Sequence, residues 1–159
     1  MLPYTFEVFS LDHIVSIIVI FFLFIIFLGY NDKIGIKDDS KTFLIVLSVL
    51  MIFLDLSEDL VRIFTGYYSI TKDLPLQLCS IGVYLAAFNL MYRNQTIFNL
   101  IFYWGFVGAT NAILTPDGDL FELRIFFFYS QGYHAALIFA VLWMMICLLY
   151  TSPSPRDVR

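Results

Sequence analysis

The sequence predicts an all-α fold, a polytopic bundle of about five transmembrane helices. Two observations predict it. Hydrophobic residues make up 60% of the 159 residues against 14% charged, with a mean hydropathy of +0.85, whereas a soluble domain is usually about half apolar and about a quarter charged. That apolar surface is too large for a water-soluble fold to cover, and a bilayer accepts it. The apolar residues also fall into long runs separated by short polar loops. The 18 Phe and 10 Tyr suit lipid packing and interfacial anchoring. A net charge of −4 with scattered Lys and Arg leaves no nucleic-acid footprint.

The first helix is expected over 11–30. Ile14 to Leu28 carries no charge, and with its flanks it spans a hydrocarbon core of about 30 Å at about 1.5 Å per residue. No Lys or Arg precedes Lys33, so this run lacks the positive start of a cleavable signal and reads as a retained helix. Asn31 to Lys41 is a polar loop with three lysines and Gly35. The second helix, 42–64, is apolar in its first half and charged in its second. Turn formers and tyrosines over 65–73 lead to a third helix at 74–92, with Pro75 in its first turn, where a missing N–H is harmless. A fourth follows at 96–114. Thr115-Pro116-Asp117-Gly118-Asp119 is a turn, and the fifth helix runs over 123–146. Residues 147–159, ending Ser-Pro-Ser-Pro-Arg-Asp-Val-Arg159, read as a translated adapter tail, so the natural protein is expected to be longer and 1–146 to be the transmembrane domain. Two cysteines, Cys79 and Cys147, are too few for a disulfide framework, and the tail reading leaves one native.

Loop charges set an orientation. The first loop holds Lys33, Lys37 and Lys41, and the positive-inside rule places it in the cytoplasm of a cell-membrane protein, with the N-terminus outside. Whatever the orientation, alternating helices bring five places to one side. There lie His13; Asp55, Glu58, Asp59 and Arg62; Gln77, Cys79 and Ser80; Asn111 with Asp117; and Ser130, Gln131 and His134. An ionisable group near a helix centre costs about 2.5–3.5 kcal/mol and usually faces a cavity or a partner, so the cluster reads as a polar chamber. Glu58 and Arg62, four apart, suit a simple pair along the helix. Asp55, about 10 Å inside the boundary, is too deep to snorkel. Gly105-xxx-Ala109, Gly108-xxx-Ala112 and the stripe Cys79, Gly82, Ala86, Asn89 suit close helix packing.

Cys79 and His134 are each unremarkable alone; as a pair they offer a thiolate and its base. Counted from the helix starts, Cys79 sits about 6 Å deep and His134 about 15 Å, so a tilt or kink is expected to close the gap. Gln131 and Ser130 are placed to orient the ring. The pair lacks metal-ligand spacing and gives no support for zinc. Protonatable His and Asp residues suit a proton-coupled or small-solute carrier equally well, and a purely structural polar core is a third reading.

The run Leu74-Pro75-Leu76-Gln77-Leu78-Cys79-Ser80 resembles the LPLxLC motif of the YwaF-like bacterial integral membrane proteins. Tyr103-Trp104-Gly105 through Gly108-Ala109 to Pro116-Asp117, the phenylalanine-rich segment before His134, and the opening Phe9-Ser-Leu-Asp-His13 resemble it too. The likeness spans nearly all of 6–146, and such proteins have six or seven helices. It implies a distant eukaryotic relative that is a membrane acyltransferase acting on ether phospholipids through a cysteine and a histidine; by similarity these are Cys79 and His134. The resulting expectation is an acyl transferase without a cofactor, with membrane lipids as partners. Cys79 is the nucleophile, His134 the base, Asp117 or Asp55 the support of the imidazolium, the first amides of the third helix the oxyanion donors, and Gln77, Gln131, Asn111 and His13 further lining.

The orientation is tested by cysteines introduced singly at Asp38 and Gly118 and probed on intact cells with an impermeant thiol reagent. Labelling at Gly118 alone is expected; labelling at Asp38 alone inverts the topology.

Overall fold

A computed structural model of the chain describes residues 5–31, 40–71, 78–118 and 121–151. The order is α1 (Leu11–Asn31), α2 (Ser40–Thr65), α3 (Leu78–Tyr92), α4 (Gln95–Ile101), a π-helical turn (Phe102–Phe106), α5 (Val107–Leu114) and α6 (Arg124–Thr151). Because α4, the π turn and α5 join end to end, the described chain forms five helical rods, as the hydropathy pattern anticipates. Leu11–Gly29, Gln95–Leu114 and Arg124–Ile146 are long and apolar enough to cross a membrane. The expectation of five such spans is thus met in full by three: α2 carries four charges in its last three turns, and α3 is described over 15 residues. Residues 74–77, expected to begin the third helix, and the 152–159 part of the expected tail lie outside the described residues. The fifth helix continues beyond its expected end at 146.

Local chemistry sets the helix ends. Gly66 adopts a φ of 77°, open to a residue without Cβ. It lets the Gly66 N–H reach Ile63 O (3.2 Å) and the Tyr67 N–H reach Arg62 O (2.9 Å), closing the orphan carbonyls of α2. The short link between α3 and α4 is held by two asparagines. Asn89 Oδ1 accepts the Asn94 N–H (2.7 Å), and Asn94 Oδ1 accepts those of Thr96 (2.9 Å) and Ile97 (3.1 Å).

α6 is the central element and packs against all the others. Its Phe126, Phe127, Leu137, Ala140 and Val141 are fully buried. α2 and α3 run antiparallel, tied by Ser48 Oγ to Ala87 O (3.2 Å) and by Ser80 Oγ to Asp55 Oδ1 (3.0 Å). α3 and α6 run parallel. Leu137 wedges between Gly82 of α3 and Gly105 of the π turn, where a Cβ on either glycine would meet the leucine at 3.5 Å. Two turns along, Asn89 Nδ2 donates to Met144 Sδ (3.2 Å). The small-residue stripe of α3 therefore packs on α6, as does Gly105, whereas a Cβ at Gly108 would meet nothing. α1 stands apart, with only 11% of its apolar window buried. It leans on α6 at both ends, through Asp12 on Arg124 and through Phe24 and Phe27 on Phe139 and Trp143.

Leu137→Ala removes the wedge that both glycines accommodate. A loss of about 2 kcal/mol or more is expected, measured as a fall in thermal midpoint in detergent; an unchanged midpoint would show that Leu137 does not hold α3 and α6 together.

Candidate functional site

Several of the polar residues expected on one side lie toward one end of the bundle, where ionic contacts join them. Arg62, buried to 5% exposure, donates to Glu58 Oε1 from Nε (3.1 Å) and Nη2 (3.0 Å) and to Glu122 Oε2 from Nη1 (2.9 Å). Its guanidinium lies 4.1 Å from the centre of the Phe126 ring, a cation over an aromatic face. The pair along α2 is therefore real, and Glu122, just before α6, completes it. Arg124 grips both carboxylate oxygens of Asp12. His13 is fully buried and fully committed: Nδ1 accepts the Phe9 N–H (3.0 Å), which leaves the proton on Nε2 to donate to Ile113 O (2.8 Å). Phe6, Phe9 and Phe127 surround its ring. His13 staples the start of α1 to the end of α5.

The α3–α6 register brings Cys79 and His134 to one depth. Gly82 meets Leu137 and Asn89 meets Met144 at the same offset of 55 residues. Carried back less than one turn, that offset sets Cys79 level with His134. The expected gap in depth, counted from the helix starts, is removed by this register, which pairs residues of α3 and α6 independently of where either helix begins. His134 is buried. Its Nδ1–H donates to the Ser130 carbonyl (2.7 Å), with Ser130 Oγ at 3.4 Å. A carbonyl only accepts, so in the neutral ring the lone pair is on Nε2, which is buried and has no hydrogen-bond partner. No bond joins Nε2 to the half-buried Cys79, a free cysteine. The place expected for a carboxylate behind the ring is taken by the Ser130 carbonyl.

Around the thiol lie groups from three helices. The Asp55 carboxylate is within electrostatic reach of Cys79, and Ser80 holds its Oδ1 while Oδ2 is buried and unpaired. Tyr84 lies beside the same carboxylate. The buried Tyr133 is within reach of Cys79, Glu58 and Asp55 and stacks its ring 4.2 Å from that of His134. Gln131 is 3% exposed with neither amide atom bonded. Asn111 and Asp117 are exposed at the bundle end, the former holding Thr115. Gln77 lies outside the described residues. The sequence reading passed over Tyr84, Tyr133 and Glu122; the spacing of Tyr84 five residues after Cys79 carries no chemical signal, and Tyr133 is marked only by adjacency to His134.

A bundle of apolar rods, three of them long and apolar enough to cross a bilayer, defines a helical membrane protein. The TMEM164 family model matches residues 8–159, and the chain belongs to the TMEM164 family. No curated protein and no solved structure matches it. The resemblance to the YwaF-like bacterial family is corrected by this match. A proline at a helix start, small packing residues and an aromatic-rich span are what any tight membrane bundle uses, so the motifs that carried the resemblance do not fix the family.

Arg62→Gln leaves the carboxylates of Glu58 and Glu122 without their shared cation. A loss of about 3 kcal/mol is expected in thermal unfolding of the purified protein. Arg62→Lys should recover only part of it, since an ammonium lacks the fork that reaches both carboxylates; full recovery by lysine would reduce the contact to a point charge.

Proposed function

We propose that the chain is a thiol-dependent acyl transferase of membrane lipids, with Cys79 as nucleophile and His134 as base. The observation that carries the reading is His134: a buried imidazole whose Nδ1–H is fixed on Ser130 O, whose Nε2 lone pair is uncommitted, and which stands level with a half-buried thiol. A base needs its lone pair on the nucleophile's side and an anchor on the other nitrogen. The reading requires Sγ and Nε2 to come within hydrogen-bond reach of each other when substrate binds.

In the first half-reaction the Cys79 proton passes to His134 Nε2 as Sγ attacks an ester carbonyl of a phospholipid. The C–S bond forms, the C–O bond breaks, and the departing alkoxide takes the proton from the imidazolium to leave a lysolipid. In the second half-reaction an acceptor hydroxyl gives its proton to Nε2 while its oxygen attacks the thioester; the new C–O bond forms, the C–S bond breaks, and the departing thiolate takes the proton back from the imidazolium, restoring Cys79. The Tyr133 hydroxyl, within reach of the thiol, would donate to a developing oxyanion. Asp55, held by Ser80, positions the α2 and α3 walls around it.

Purified protein given a phospholipid with a radiolabelled acyl chain should retain label as a hydroxylamine-sensitive thioester. Cys79→Ser should abolish that signal, and His134→Gln should slow its formation by about 10²–10⁴-fold. Label that persists in Cys79→Ser, or thioester formed equally fast without His134, would sink the mechanism. Solute uptake into vesicles that survives Cys79→Ser would instead mark a carrier.

A further inference from the structure

Asp55 is a buried carboxylate, 6% exposed, held by neutral groups in place of a cation. Glu58 and Glu122 share Arg62, and Asp12 lies on Arg124. Asp55 instead accepts at Oδ1 from Ser80 Oγ (3.0 Å), and its Oδ2 is buried without a partner. The other titratable groups that face it are Tyr84 on α3, Tyr133 on α6, and Glu58 and Asp59 on its own helix. The tyrosines bring no charge, and the two acids bring only more of the same sign. Arg62 stands two turns further along α2, about 10 Å away along the axis, and is already occupied by two carboxylates. Cys79 directly precedes Ser80, so the bond from Ser80 holds the Asp55 charge beside the thiol, within its electrostatic reach. The bond itself needs no charge. An asparagine would accept from Ser80 and tie α2 to α3 without burying a carboxylate. What the carboxylate adds is a field at Cys79. Like charges repel strongly where the dielectric is low, so a thiolate at Cys79 is opposed and the thiol is not. His134 fits the same resting state. Its Nδ1–H is on the Ser130 carbonyl, and its Nε2 is buried with no partner. An imidazolium there would carry a second, charged N–H aimed at nothing, whereas the neutral ring leaves only a lone pair.

We infer that Asp55 is a positioning residue that acts through its charge: it holds Cys79 as the neutral thiol at rest, so that the sulfur loses its proton only in the act of attack. The thiolate is the reactive form of a cysteine. A resting thiol is therefore inert to oxidants and stray electrophiles until a substrate is seated. The pair works as a hydroxyl nucleophile and its base work, with the proton leaving for His134 Nε2 as the bond to carbon forms. A preformed thiolate–imidazolium pair has no place in it. The resting state stands on Asp55, Ser80 and Cys79; only its use in group transfer rests on the acyl-transfer reading.

The test uses the full chain in phosphatidylcholine vesicles, carrying Cys147→Ser so that Cys79 is its one thiol. Alkylation by membrane-permeant N-ethylmaleimide is followed from acid to alkaline pH, with the thermal midpoint as the check on folding. In the parent the rate should be slow at neutral pH and climb on the alkaline side. Asp55→Asn keeps an acceptor for Ser80 and removes the charge. It should move the profile toward acid and speed alkylation about tenfold at neutral pH, the effect of about one pH unit. Asp55→Thr, a second uncharged acceptor, should do the same and serves where the asparagine variant folds poorly. Ser80→Ala removes the bond and keeps the charge, and its profile should stay close to the parent's. A purely structural role predicts the reverse ranking, and that ranking would overturn the inference. Fast alkylation of the parent at neutral pH overturns it without any variant. So does an uncharged variant whose profile stays in place or moves toward alkali. Thioester trapping on the same samples keeps the two ideas apart. A profile that moves with Asp55 while the parent forms no thioester removes acyl transfer and keeps the role of Asp55; thioester in the parent with an unmoved profile does the reverse.

Discussion

The seating of Leu137 between Gly82 and Gly105 is the contact on which the rest of the molecule depends. It fixes α6 against α3 and against the π turn at the same point, where a Cβ on either glycine would already be in van der Waals contact with the leucine. In a bilayer apolar surface gains little by leaving lipid for protein, so helix association rests on close packing and on polar contacts. The wedge supplies the first and the Asn89–Met144 contact the second. Together they define a register, and a register determines which side chains share a depth. The nearness in depth of Cys79 and His134 is a product of this packing rather than of any bond between them.

The other constraint is the scarcity of partners for polar groups in hydrocarbon. Most groups here obey it. Arg62 collects two carboxylates and an aromatic face, His13 binds backbone on both nitrogens, and the link at 93–94 satisfies its amides with two asparagines. Among the described residues the orphaned buried atoms are Asp55 Oδ2, both amide atoms of Gln131 and His134 Nε2, together with Ser10 Oγ and the indole nitrogens of Trp104 and Trp143.

The helices were legible because hydropathy over about twenty residues is a strong signal, and the end of the second helix was legible in the turn formers over 65–73. The one-sided gathering of polar residues followed from alternation alone. What the chain could not reveal were relations across space. Depth counted from the start of each helix misplaced His134 relative to Cys79, since the contacts of Leu137 and Met144 with α3, and not the helix ends, decide which residues are level. The partner of Arg62 that completes its pairing, Glu122, is 60 residues away. His13, read as lining, is a staple because its two nitrogens find Phe9 and Ile113; Asn111, read as lining, and Asp117, read as a support of the imidazolium, are exposed. The family assignment was misread as well, because small and aromatic residues record packing needs that many membrane families share.

The π turn at 102–106 has a consequence for how the rod containing it meets its neighbours. Ile101, Gly105, Ala109 and Ile113 are all buried and spaced four apart. On a regular α-helix a spacing of four overshoots a full circle by about 40°, so three such steps would carry Ile113 about a third of a turn from the line of Ile101. A single widened turn, closed by bonds one residue longer, takes up part of that overshoot. The irregularity acts as a phase corrector, a local fault in the helix that straightens the seam the helix presents.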